Sequence, residues 1–227
     1  MKHFFASLLA LLFAGQAFAQ ENLTYQKPPK EIMELVDVER APQIRIDDKH
    51  EFMILLYTDA YKSIEELSEK EMRLGGLRIN PVTNISSRER YNNNIKIKKL
   101  AEKVEKQVSG LPKNPRISNV NWSPDQKYVS FTQTTDKGVE LWLLTIATAS
   151  AKKLTDGYLN CNMAYPTNWF AESNAMLVPF LPKDKAEIIN TESAIPTGPT
   201  VTESAGEKAQ NRTYQDLLKN PTDEANF

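Results

Sequence analysis

The stretch NVNWSPDQKYVSFTQTTDKGVELWLLTIATASAKKLT, Asn119 to Thr155, constrains the fold more than any other part of the chain. Val120 and Trp122 close a first strand. Ser123-Pro124-Asp125-Gln126 is a turn, in which proline presets φ and aspartate bonds back to the backbone. Val129 and Phe131 alternate with Tyr128 and Ser130 in a second strand. Asp136-Lys137-Gly138 has the Asp/Gly chemistry of a hairpin turn. In the third strand Trp142, Leu144 and Ile146 share one face while Leu141 and Leu143 share the other, so both faces are predicted to be covered. The residues from Ala147 to Ala151 turn the chain into KKLT, a short fourth strand. Four short strands in this length make one propeller-sized blade, about 40–45 residues.

The opening of that unit recurs. TNWFAESNAMLVPF places Trp169, a polar turn at Glu172-Ser173-Asn174 and the apolar run Met176–Val178 in the order and spacing of VNWSPDQKYVSF. IRIDDKHEFMILLY fits the same template, with Ile46 in the tryptophan position and a turn at Asp47-Asp48-Lys49-His50. Trp122, Asp125, Phe131, Trp142 and Trp169 are therefore assigned to the structural repeat, with Trp122 buried between blades. The fold class read from these copies is all-β: an incomplete β-propeller of four-stranded blades with short N-terminal and C-terminal helices.

The rest of the chain divides around this region. MKHFFASLLALLFAGQAFAQ has a basic start, an apolar run and the small-residue pattern Ala17-Phe18-Ala19. It reads as a secretory signal peptide over residues 1–19, cut before Gln20, which makes the mature chain secreted or periplasmic. The apolar run falls short of the roughly 20 residues of a membrane span. Residues 20–42 form a helical lead-in, in which Pro28 and Pro29 precede a helix with Ile32, Leu35 and Val36 on one face. The partial propeller occupies residues 43–181. Within it SIEELSEKE starts a surface helix with a capping box, Ser63 with Glu66; GGLRI, NIKIKKL and KVEKQVSG are further strand candidates. Residues 182–211 are polar, proline-bearing and aperiodic, a flexible insertion. In residues 212–227, Thr213 caps a short helix carrying Tyr214, Leu217 and Leu218, ended before Pro221.

Composition narrows the function. With 28 basic and 29 acidic residues the chain has no broad field for nucleic acid or anionic lipid. The single cysteine, Cys161, excludes an internal disulfide and reads as a small buried side chain. One cysteine and two histidines cannot build a structural zinc site, and the acidic turns lack the spacing of a calcium loop. No metal or cofactor is expected. No glycine is followed by serine two residues on and glycine two beyond that, so the nucleophile elbow of a serine hydrolase is absent from the sequence. His50, in a polar turn, has no neighbour that would make it a general base.

WSPDQKYVSFT followed by LWLLTIATASAKKLT resembles the repeat of TolB-type propellers and of the propellers of prolyl oligopeptidase-family serine peptidases, with Ala149 standing where that repeat often has glycine. PPKEIMELVDVERAP, LGGLRI with SSRERY, and RTYQDLLKNPTDEANF resemble the N-terminal half of glutamyl endopeptidases, members of that peptidase family in plant chloroplasts and bacteria. The resemblance implies a propeller that caps a C-terminal α/β-hydrolase domain bearing a Ser-Asp-His triad, with oligopeptides as substrates. On that reading this chain is a non-catalytic propeller segment, inactive alone, whose partner is the hydrolase domain; unpartnered, it is expected to self-associate through open strand edges. A stand-alone periplasmic TolB-like propeller that works through protein contacts is the alternative. Cleavage after glutamate calls for a cation, and Arg78, Arg88 and Arg90 are the candidates for binding that carboxylate, since the guanidinium fork suits it.

Overall fold

The computed structural model describes residues 26–163, 165–185, 188–189, 206 and 216–227. The chain divides into two compact units, Met1–Val38 and Glu39–Phe227. The predicted signal peptide, most of the predicted insertion, Thr213 and Tyr214 lie outside the described residues. In the first unit α1, Lys30–Val36, forms where the sequence places it, with Pro29 as N-cap. Its apolar face stays open: Ile32, Leu35 and Val36 are all exposed.

The second unit is built on two four-stranded antiparallel sheets. The unit read most clearly from sequence is the second of them. Its strands β7 (Ile117–Trp122), β8 (Tyr128–Thr135), β9 (Gly138–Thr145) and β10 (Ser150–Lys153) pair in chain order. The first sheet has the same meander but an interrupted sequence: β1 (Gln43–Ile46) and β2 (Phe52–Tyr57), then β5 (Asn94–Lys99) and β6 (Glu105–Gln107). Between β2 and β5 the chain leaves the sheet. This excursion carries α2 (Ile64–Ser68) and a small hairpin of β3 (Met72–Leu74) and β4 (Leu77–Ile79). The capping box of α2 is present: Glu66 N–H donates to Ser63 Oγ at 3.1 Å, and Ser63 N–H to Glu66 Oε2 at 2.9 Å. A third repeat contributes β11 (Asn168–Trp169) and β12 (Met176–Leu177). The all-β blade architecture read from sequence is the one observed, with short helices toward each end.

The three openings are equivalent bond for bond. His50 N–H donates to Asp47 C=O, Gln126 N–H to Ser123 C=O and Ser173 N–H to Phe170 C=O, at 3.0, 2.9 and 2.9 Å. The donors His50, Gln126 and Ser173 have φ of 56°, 63° and 59°. Each turn closes with the bond Asp47 N–H to Phe52 C=O, Ser123 N–H to Tyr128 C=O, or Phe170 N–H to Ala175 C=O. Three unlike four-residue sequences reach one left-handed geometry, and in the first two a polar side chain satisfies the bend. In the first, Asp47 Oδ1 accepts from Glu51 and Phe52 N–H; in the second, Ser123 Oγ accepts from Tyr128 N–H and itself donates to Asp125 Oδ1 at 2.7 Å.

Consecutive turns also touch. Gln126 exchanges two hydrogen bonds with Asp48, Lys49 Nζ donates to Asp125 C=O, and Asp125 N–H donates to Ser173 Oγ at 2.9 Å.

Two cores lie on opposite faces of the second sheet. One face packs Val129, Phe131, Leu144 and Ile146 against Ile54, Leu56, Ile95 and Ile97 of the first sheet. The other face presents Val139 and Leu141 to Ile85, Leu159 and Cys161, with Met176 and Val178 of the third repeat packed alongside. The two-faced third strand read from sequence is thus confirmed. Phe131 is fully buried and stacks on Trp142, ring centres 6.1 Å apart. Trp169 donates from Nε1 to Ser130 Oγ at 3.1 Å, tying the third repeat to the second sheet. Trp122 packs on the inter-sheet core but is half-buried, not buried as predicted: it borders the buried cluster rather than belonging to it.

Three local features differ from the sequence reading. Leu217 and Leu218 are not helical; α3 runs Pro221–Asn226. Pro221 begins the helix instead of limiting one, because its missing N–H is not needed in the first turn, and Asn220 caps by accepting from Asp223 N–H at 2.9 Å. The bend around Ala149 forms without glycine: Ala149 takes φ of 52° and is buried. Strand β7 breaks register between Ser118 and Asn121, with Asn119 at φ 49°, a bulge that no sequence signal marked.

Candidate functional site

That bulge lies on the wall of an open cavity of about 1170 Å³. The excursion after β2, the first strands β1 and β7 of the two sheets, the segment before β5 and the far end of the β8–β9 hairpin all contribute walls. Bulges concentrate where pairing must yield to re-aim side chains. Here Asn119 Nδ2 donates to Ser118 Oγ and to Thr132 Oγ1, 3.2 and 3.0 Å, and the adjacent Val120 C=O accepts from Arg45 Nη1 at 2.6 Å. The last bond joins β1 directly to β7.

Charged groups line the cavity in both signs, and one pair organises them. Arg116 Nη2 donates to Glu69 Oε1 at 2.6 Å, and the other Glu69 oxygen accepts from Asn80 Nδ2 at 2.8 Å. The guanidinium sits 4.4 Å from the Tyr91 ring centre, a cation–π contact. Burial pushes the Tyr91 phenol above its ordinary value, and burial likewise raises the Glu89 carboxyl. The Arg116 Nε is buried without a hydrogen-bond partner among the described residues. Arg40 and Arg90, on the same wall, form no ion pair within the described residues.

The structure does not gather Arg78, Arg88 and Arg90 at one point. Arg78 and Arg88 converge on Glu71, with Nε to carboxylate distances of 3.5 and 3.3 Å, and Arg73 joins them at 3.0 Å. Arg78 is also paired with Asp216. Glu71 accepts a 2.8 Å bond from Ser87 Oγ; that bond first, with Arg73 and Arg88 adding to it, holds its carboxyl below the usual range. Arg90 lies apart from this cluster, exposed on the cavity wall.

The remaining chemistry-bearing residues occupy structural positions. His50 is exposed in the first turn. Cys161 is a free, buried thiol whose pKa burial pushes up to about 12, so it carries almost no thiolate near neutral pH. Asp125 is held by Ser123 Oγ, then by Lys127, which lowers its pKa. Among the described residues no group of three His, Cys, Asp or Glu side chains could hold a metal ion, and no helix is long and apolar enough to cross a membrane.

No family model matches the chain. Two curated relatives align with 88% of it: "Probable glutamyl endopeptidase, chloroplastic" from Oryza sativa subsp. japonica, 29% identical over 213 residues, and the protein of that name from Arabidopsis thaliana, 26% identical over 210 residues. The chain spans 22% of the length of each. Among solved structures, an acylaminoacyl peptidase in complex with Z-Gly-Gly-Phe-chloromethyl ketone aligns with 72% of this chain and 21% of its own length, with a TM-score of 0.39 and 17% identity. Over 88% of its length this chain is similar to two proteins named probable glutamyl endopeptidases, and it is a peptidase-related domain built mostly of antiparallel sheets.

Proposed function

We propose that the chain is the non-catalytic propeller part of a glutamyl endopeptidase-like serine peptidase, and that it caps a hydrolase domain and admits oligopeptides to it. The observation that carries this reading is the 213-residue match to a relative of which the chain spans 22%. Two features support it. The sequence holds no Gly-x-Ser-x-Gly elbow, and its described histidine, His50, stands in a repeat turn rather than beside a nucleophile. The cavity is lined by charged side chains of both signs, and Arg40 and Arg90 on its wall have no ion-pair partner among the described residues. Of the three arginines expected to receive a substrate carboxylate, Arg90 is the one we assign to that role, since Glu71 and Asp216 already engage the other two. We further propose export, with cleavage before Gln20; the mass of the protein recovered from the cell envelope tests it.

Fluorescence anisotropy with a labelled oligopeptide containing one glutamate, against its glutamine twin, tests the substrate role. The purified chain is expected to bind the glutamate peptide more tightly, and Arg90→Ala to remove about a tenfold preference, the scale of one charge-assisted contact. Equal binding of both peptides, or a preference unchanged in Arg90→Ala, would refute the assignment.

A further inference from the structure

We infer that the cavity takes peptides carrying two carboxylates, and that Arg45 receives the second of them. The inference rests on the proposed peptide role of this cavity and adds a second anion contact to the one assigned to Arg90.

Backbone geometry places Arg45. It stands on β1, half-buried on the cavity wall. The strand it reaches, β7, breaks register between Ser118 and Asn121, with Asn119 at φ 49°. A non-glycine residue in that region is strained, and it persists where its surroundings fix it. Here the surroundings do so, through Asn119 Nδ2 bonded to Ser118 Oγ and Thr132 Oγ1. Val120, inside the break, gives its carbonyl to Arg45 Nη1 at 2.6 Å. Bulges of this kind re-aim groups beside functional sites.

The anchor is a carbonyl and not a carboxylate, and this decides what the guanidinium can do. Arg45 has no ion pair among the described residues, so its charge is fixed in place without being neutralised. Carboxylates on the same wall are engaged elsewhere: Glu69 by Arg116 and Asn80, Glu140 by Lys153 and Trp142 Nε1, Asp59 by Asn93 Nδ2. A guanidinium has five N–H donors in a planar fork that matches a carboxylate, and Val120 takes one of them. A group already anchored loses little freedom on binding. Glu65, Glu89 and Asp136 also line the space, so its field does not draw anions in general. Selection therefore falls to placed contacts. Arg45 on β1 and Arg90 in the segment before β5 are carried by separate parts of one wall. A peptide that uses both carries two carboxylates, the second being its C-terminus or a second acidic side chain.

Fluorescence anisotropy with three labelled peptides of equal length, at near-physiological salt, tests this. The first has one glutamate and an amidated C-terminus. The second has the same residues with a free C-terminal carboxylate. The third has two glutamates and an amidated C-terminus. The second or the third is expected to bind the purified chain about tenfold more tightly than the first, the scale of one bond to a charged group. Whichever gains identifies the source of the carboxylate, and a gain in both means that either is accepted. Arg45→Gln is expected to abolish the gain while the preference for glutamate over glutamine, assigned to Arg90, persists; the two assignments therefore fail separately. Since Arg45 also ties β1 to β7, a second readout uses the unmodified chain. The Arg45 Nε–H resonance is expected to shift with the two-carboxylate peptide that gains and to stay in place with the first. Equal binding of all three peptides, a gain that survives Arg45→Gln, or an Nε–H resonance that stays in place at saturation would overturn the inference.

Discussion

Trp122 and Trp169 stand at the same place in successive repeats and meet different neighbours. Trp169 finds a hydrogen-bond acceptor in Ser130; the Trp122 Nε1 is buried without one among the described residues. Trp122→Ala is expected to lower unfolding free energy by about 2–3 kcal/mol in denaturant titration, less than for a fully buried ring because Trp122 is half-buried. Trp122→Phe, which removes the orphan donor and keeps most of the ring, should cost roughly 1 kcal/mol or less. An unchanged midpoint in the alanine variant would contradict the inter-sheet role. At Glu71 the folded-state pKa is depressed, first by Ser87 and then by the arginines. A depressed carboxyl contributes stability that is present above its unfolded pKa and lost as pH falls through the folded one. Stability is therefore expected to decline as pH drops through and below the ordinary carboxylate range, and Glu71→Gln should flatten that decline. Cys161 is expected to resist a thiol reagent at pH 8 in the native chain and to react fully once unfolded; rapid native labelling would contradict its buried, protonated state. The burial of Cys161 was legible because a lone cysteine with no histidine nearby has little other use. The convergence of arginines on Glu71 was not, since it depends on the β3–β4 hairpin, whose first strand, Met72–Leu74, is too short to show a pattern.

Among the elements, the β8–β9 hairpin was legible down to its faces. Its alternation of apolar residues on both sides reports two neighbours, and the structure supplies two cores. Its turn demands glycine. Gly138 has φ of 152°, and a Cβ there would collide with the Gly157 carbonyl. Gly138→Ala is expected to cost at least about 2 kcal/mol, from backbone strain and overpacking together, read as a lowered thermal midpoint. The first turn gives the opposite sign. His50 is exposed at φ 56° and no described partner holds its ring, so His50→Gly relieves left-handed strain at the price of some unfolded-state entropy. A gain of roughly 0.5–1 kcal/mol is expected. Loss of stability would show that the imidazole has a structural partner. Two elements escaped the sequence reading for opposite reasons. Pro221 stops a helix in one reading and starts one in another, and only Asn220 capping decides between them. The bulge at Asn119 requires a residue in the left-handed region, a conformation asparagine tolerates without advertising it.

At the scale of the whole molecule, the repeat was legible and the cavity was not. Repeats are visible because each copy must bury the same strand positions against its neighbours. The cavity wall is gathered from segments spread between Arg40 and Glu140, and its organising pair, Arg116 with Glu69, is 47 residues apart in sequence. Arg78, Arg88 and Arg90 look like one cluster along the chain, yet the fold sends two to Glu71 and one to the cavity. The proposed function is a propeller part of a peptidase that carries no catalysis by itself. Mass-spectrometric product analysis of glutamate-containing peptides incubated with the purified chain tests that most directly. No cleavage above the buffer rate is expected, with or without His50→Ala. Turnover by the unmodified chain that disappears in His50→Ala would contradict it.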